Sequence, residues 1–216
     1  MNKIIALTVV AASLVLTACS EPTPRNRGVF MLIDTSGTYT RELSKAQQII
    51  NAVLTKLNPG DSFAVARIDT GSFSEKDIVA KVTFDERPSV ANRQKRAFLA
   101  RINKFVKTVK PARYTDITGG ILQASEYLKE KNSGKKTILV FSDLKEELKK
   151  GYIRDFEIAL DKVEIVALNV TKLRSDNVDP REYIARLKSW ETRVQKGGGE
   201  FRVINDLDRL ERVING

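Results

Sequence analysis

Asp34-Thr35-Ser36-Gly37-Thr38 places a carboxylate and two hydroxyls at alternate positions, with a glycine that lets the backbone turn sharply between them. That set offers hard oxygen donors to one ion. Magnesium prefers six oxygens at about 2.0–2.1 Å, retains several waters and needs only one or two carboxylates. Asp143 and a hydroxyl from the 115–118 loop are available to complete such a shell. The chain has no His and one Cys, so an imidazole zinc site, a Cys-rich zinc site and the His-dependent nucleophilic pairs are excluded, and zinc or copper is a poor match for the donors that remain. Taken singly, each element also reads as a helix cap or an Asx turn, because Asp, Ser and Thr favour both.

The elements that must position these residues follow from the apolar pattern. Gly28 to Asp34 and Thr137 to Asp143 are apolar runs that end in an acid, as expected of central parallel strands covered on both faces. Asp61–Asp69 and Asp77–Phe84 predict a hairpin whose second strand is an antiparallel edge, and Val163–Val170 and Glu200–Ile204 complete the sheet. Helices are expected over Arg41–Leu57, about Val90–Val109, after the polar stretch Thr115–Gly120, over Pro180–Val194 and near Leu207–Ile214. The alternation predicts an α/β fold: an open, mostly parallel, Rossmann-like sheet with helices on both faces and one antiparallel edge strand. In such sheets ligands bind beyond the carboxyl ends of the strands, where Asp34 and Asp143 fall.

Three stretches in this order, DTSGT after an apolar strand, then YTDITGGI, then VFSD, resemble the von Willebrand factor A domain and its metal-ion-dependent adhesion site. The usual first element of that site is Asp-x-Ser-x-Ser. The resemblance runs from about Gly28 to Ile204. It implies Asp34, Ser36 and Thr38 as the first element, Thr115 as the second and Asp143 as the third, with Thr118 a rival to Thr115. It also implies a divalent cation, Mg2+ with Mn2+ or Ca2+ as alternatives, whose open coordination position accepts an acidic group of a protein partner. Two departures stand out: Thr38 replaces a Ser and adds a methyl group, and Leu144 follows Asp143 where a Gly is common.

The amino-terminal residues point to a compartment. Met1-Asn2-Lys3 is a short basic start, and Ile4–Leu16 is a run of apolar or small residues too short for a comfortable membrane span. Leu16-Thr17-Ala18-Cys19 resembles the lipobox of bacterial lipoproteins, which implies cleavage before a lipidated Cys19. Residues 1–18 then form a signal peptide, 19–27 a lipidated Cys and Pro-containing tether, and 28–216 the domain. Ser20, not Asp, follows the Cys, which implies the outer membrane, facing the periplasm, in a cell with two membranes.

The net charge of +10 falls to +9 when Lys3 is lost with the signal peptide. Eight basic residues and no acid lie between Arg93 and Arg113: Arg93, Lys95, Arg96, Arg101, Lys104, Lys107, Lys110 and Arg113. The plain reading is a solvated helix face. The functional one is contact with an anionic lipid surface or an acidic partner, since an exported chain does not meet nucleic acid. The expected function is therefore a membrane-anchored, non-enzymatic binding protein of the cell envelope. The alternatives are a metal-free scaffold acting through its basic helix and a metal-dependent hydrolase using Asp34, Asp116 or Asp143 as base.

Overall fold

A computed structural model describes residues 24–37, 39–206, 209, 210, 212 and 213, with the backbone alone described at Thr40 and Arg41. The expected signal peptide (residues 1–18), Cys19 and Thr38 lie outside the described residues. Strand β1 (Arg27–Asp34) leads through a short 3-10 turn (Tyr39–Glu42) into α1 (Leu43–Lys56). Strands β2 (Ser62–Ile68) and β3 (Ile78–Thr83) follow, then α2 (Pro88–Thr108) and α3 (Ile117–Glu130). The chain continues through β4 (Lys135–Phe141), β5 (Glu164–Leu168), α4 (Pro180–Lys196) and β6 (Glu200–Ile204). Arg209, Leu210, Arg212 and Val213 are helical, in the stretch where a last helix was expected.

The six strands form one sheet in the order β3-β2-β1-β4-β5-β6. All neighbours are parallel except β2 and β3, so the hairpin and its antiparallel edge stand as expected. Strand β1 sits between β2 and β4 and is buried on both faces, which explains its unbroken apolar run. Its side chains alternate between two cores. Val29, Met31 and Ile33 face one side with Leu43, Ile50 and Val53 of α1 and Phe98 and Ile102 of α2. Phe30 and Leu32 face the other with Ile121, Ala124 and Leu128 of α3 and Trp190 and Val194 of α4. Phe98 stacks on Phe63 with ring centroids 4.9 Å apart, fixing α2 against β2.

The amino-terminal edge is closed by Asp61. Its Oδ1 accepts from the Arg27 N–H at 2.7 Å, while Oδ2 accepts from the Asn58 N–H at 2.7 Å and from the Arg27 guanidinium. One carboxylate therefore joins the end of α1 to the start of β1.

Two expectations are corrected. The stretch Thr115–Gly120 is not a loop throughout, because α3 begins at Ile117 and takes both glycines into its first turn. A Cβ on Gly119 would sit 2.6 Å from the Asp116 carboxylate and 2.8 Å from the Ser72 carbonyl, so the small residue serves a close approach and not a turn. The fourth strand stops at Phe141, leaving Ser142 and Asp143 beyond the sheet. Among the described residues no helix is long and apolar enough to cross a membrane.

Candidate functional site

Parallel pairing in register aligns Ile33 with Phe141, so the residues after β1 and β4 emerge side by side at the carboxyl edge. Asp34 and Asp143 are both buried there, at 1% and 6% exposure. Asp34 Oδ1 accepts from the Ser36 N–H at 2.8 Å, and Oδ2 accepts from the Ser142 hydroxyl at 2.8 Å. Asp143 Oδ1 accepts from the Lys145 N–H at 2.9 Å.

The second loop is stitched to both of the others. The Ala112 N–H donates to the Thr35 carbonyl at 2.7 Å, and Thr115 and Glu147 exchange backbone hydrogen bonds of 2.8 and 2.9 Å. The Thr35 hydroxyl, which points away from this cluster, donates to the Ile68 carbonyl at 2.9 Å and ties the first loop to β2.

The two hydroxyl rivals in the second loop have different neighbours. The Thr118 backbone N–H and hydroxyl both donate to the Glu146 carboxylate, at 2.7 and 3.0 Å, and its hydroxyl also accepts from Arg193 at 2.7 Å. The Thr115 hydroxyl makes no hydrogen bond among the described residues. Asp116 is committed elsewhere: it caps α3 through the Gly119 N–H at 2.8 Å and holds Arg154 in a two-point pair at 3.0 and 2.7 Å. A carboxylate so tied is ill placed to move a proton.

Electrostatics single out the first and third elements. Burial pushes the Asp34 carboxyl above its ordinary value; hydrogen bonds from Ser36 and Ser142 pull it back in part, and the Glu147 charge pushes it further up. Burial likewise raises Asp143; the Lys145 N–H and the charges of Arg186 and Lys145 oppose this, and the Asp34 charge reinforces it. Asp34 has no Lys or Arg ion pair among the described residues. Two buried acids that repel each other, with hydroxyls gathered beside them, fit a hard divalent cation. Among the described residues no cluster of three or more His, Cys, Asp or Glu side chains that could hold a metal is present.

Sequence reasoning missed how the third element is held. Leu144 adopts a left-handed backbone with φ of +64°, at the position where Gly is common in the resembling family. For a residue with a Cβ this costs about 1–2 kcal/mol. The Leu144 side chain is 2% exposed, and burying it returns roughly 1.5–3 kcal/mol, so packing offsets the strain. Helix α4 supplies the rest. Arg186, Trp190 and Arg193 lie on one stripe of the helix: Arg186 donates to the Asp143 carbonyl at 3.0 Å, Trp190 Nε1 to the Leu144 carbonyl at 2.9 Å, and Arg193 pairs with Glu146 at 3.6 Å. Arg186 is itself braced by both oxygens of Asp176, at 3.1 and 2.7 Å. The spacing of four and three residues was visible in the sequence, but it reads there only as a helix face.

The basic residues divide by placement. Arg93, Arg96, Arg101, Lys104, Lys107, Lys110 and Arg113 are exposed. Lys95 turns inward, donating to the Leu57 carbonyl at 2.6 Å and lying over the Phe84 ring.

With this geometry in view, the comparisons bear on the fold. No protein-family model matches the chain, and no curated protein does. Solved structures do. The chain is similar to a von Willebrand factor type A protein from Catenulispora acidiphila, at TM-score 0.54 and 14% identity over 89% of this chain and 41% of that one. The fold is of the von Willebrand factor A type. The pilus adhesin SpaC from Lactobacillus rhamnosus GG matches at TM-score 0.54 and 12% identity, over 91% of this chain and 30% of that one. The PilB minor pilin from Streptococcus sanguinis matches at TM-score 0.53 and 12% identity, over 91% and 61%. The chain thus spans less than half the length of the first two.

Two outcomes follow from the site. Trp190→Phe keeps a ring but loses the indole N–H, and should cost about 1 kcal/mol in urea unfolding; Arg186→Met, which also strips Asp176 of its guanidinium, should cost more. Equal stability in all three proteins would remove the clamp. The second concerns Asp34. An acid held above its ordinary value binds its proton more tightly when folded, so its ionised form costs stability at neutral pH, and that cost disappears as pH falls toward the ordinary value of 3.8. In chelator, Asp34→Asn should melt above wild type near neutrality, with the margin shrinking on acidification. A margin independent of pH would contradict it.

Proposed function

We propose that this domain binds a divalent cation through Asp34, Ser36, Thr38, Thr115 and Asp143 and, through that ion, an acidic group of a protein partner. The observation that carries this reading is the pair of buried acids at the ends of adjoining strands, mutually repelling and, at Asp34, without a Lys or Arg partner among the described residues. Mg2+ suits the donor set best, with Mn2+ or Ca2+ acceptable. An ion whose charge two acids and neutral hydroxyls leave incompletely satisfied attracts a further carboxylate. Thr38 supplies the third residue of the first element by sequence, and Thr115 is preferred to Thr118 because the Thr118 hydroxyl is already engaged with Glu146 and Arg193.

The lipobox-like Leu16-Thr17-Ala18-Cys19 supports a bacterial envelope setting for this activity, with the domain anchored through Cys19 and facing the periplasm if the cell has two membranes. The partner is then another envelope protein that presents an acidic residue. A binding role is favoured over hydrolysis because Asp116 is tied to Arg154 and to the cap of α3.

Adding Mg2+ or Mn2+ to chelator-treated protein should raise its melting temperature with saturation, and Asp34→Ala should abolish that rise. A wild-type protein indifferent to metal and chelator would refute the metal reading. Cys19→Ala should release the protein from the membrane fraction of a bacterial host, and continued membrane retention would refute the anchor.

A further inference from the structure

The exposed cations of α2 do not stop where the helix stops. Arg101, Lys104 and Lys107 lie on its solvent face, and after the helix ends at Thr108 the chain carries Lys110 and Arg113, both exposed, on either side of Ala112. Ala112 is the residue that bridges to Ser36 and donates to the Thr35 carbonyl. The basic surface therefore runs up the side of the domain and turns onto the lip of the two-acid site. From Arg101 to Lys107 the helix rises about 9 Å, and with the loop to Arg113 the strip spans roughly 20 Å, about six residues of extended chain.

Among the described residues no acid pairs with this strip. There is no Asp or Glu between Glu86 and Asp116. Among the described residues none of these five side chains makes an ion pair, and Arg113 rests over the Tyr114 ring. Elsewhere most of the well-placed cations are used: Arg27 on Asp61, Arg67 on Asp77, Arg154 on Asp116 and Arg186 on Asp176.

We propose that the partner is an acidic polypeptide segment that lies along Arg101, Lys104, Lys107, Lys110 and Arg113 and ends with one carboxylate at the ion. This deepens the metal-binding reading and rests on it for that last contact. A flat lipid surface can cover the flank of α2 or the carboxyl edge of the sheet, but not both, because the strip turns a corner between them. A flexible chain follows the corner. The strip supplies long-range attraction and orientation, and the ion supplies the short-range bond.

The test uses a fluorescent twelve-residue glutamate-rich peptide and, separately, vesicles containing phosphatidylglycerol, each titrated with the lipid-free protein with and without Mg2+. Mn2+ binding is measured directly on every variant. Wild type should bind the peptide more tightly with Mg2+ than without. Lys104→Gln/Lys107→Gln/Lys110→Gln should weaken peptide binding about tenfold while leaving Mn2+ affinity and melting temperature unchanged. Lys129→Gln/Lys162→Gln/Lys196→Gln, which removes the same charge from the opposite edge of the sheet, should have little effect. Equal weakening by the two triple variants, or vesicle binding that depends on the strip when peptide binding does not, would overturn the proposal. Absence of Mn2+ binding in wild type would instead overturn the metal reading, and with it the Mg2+-dependent contact. Strip-dependent peptide capture in that case would leave the acidic-segment docking standing alone.

Discussion

Everything at the functional edge depends on β1 being buried on both faces. With sheet neighbours on each side and helices above and below, the strand carries only Gly and apolar side chains between Arg27 and Asp34, so the next polar group comes at its carboxyl end. That group is Asp34, and it emerges still enclosed, at 1% exposure. A carboxylate in such a place needs either a counter-charge or a proton. Arginines meet that need at Asp61, Asp116 and Asp176. At Asp34 only hydroxyl and amide donors do, which leaves a net negative site in an otherwise strongly basic protein.

The neighbouring loops divide the work. The first and second are joined to each other by backbone hydrogen bonds, and the second and third by the Thr115–Glu147 bridge, so the three sets of oxygen donors share one frame. Thr118 and Asp116, which have the right chemistry to compete for an ion, are withdrawn into contacts with Glu146, Arg193, Arg154 and the start of α3. For the proposed ion, these contacts leave Thr115, not Thr118 or Asp116, as the second-loop donor.

The sheet, its antiparallel edge and the placement of Asp34 and Asp143 were legible because each rests on a local pattern. An apolar run of strand length that closes on an acid has few other readings. The first turn of α3 was misjudged because Gly119 and Gly120 look like loop residues until the Asp116 carboxylate and the Leu32 side chain are seen pressing against them. The grip of Arg186 and Trp190 on the 143–144 carbonyls was illegible for a different reason: it joins residues more than forty positions apart through backbone acceptors, which carry no signature in the sequence. Lys95 shows the same limit, since nothing in its neighbours distinguishes a lysine that turns inward onto Leu57 from those that face water.

Because Arg186, Trp190 and Arg193 ride on one helix, their three contacts with residues 143–146 cannot be given up one at a time without strain. Residues 143–146, which lack regular structure, are thus tied to α4 at three points. A displacement of that helix would carry all three side chains with it and so bear on the Asp143 and Leu144 carbonyls together.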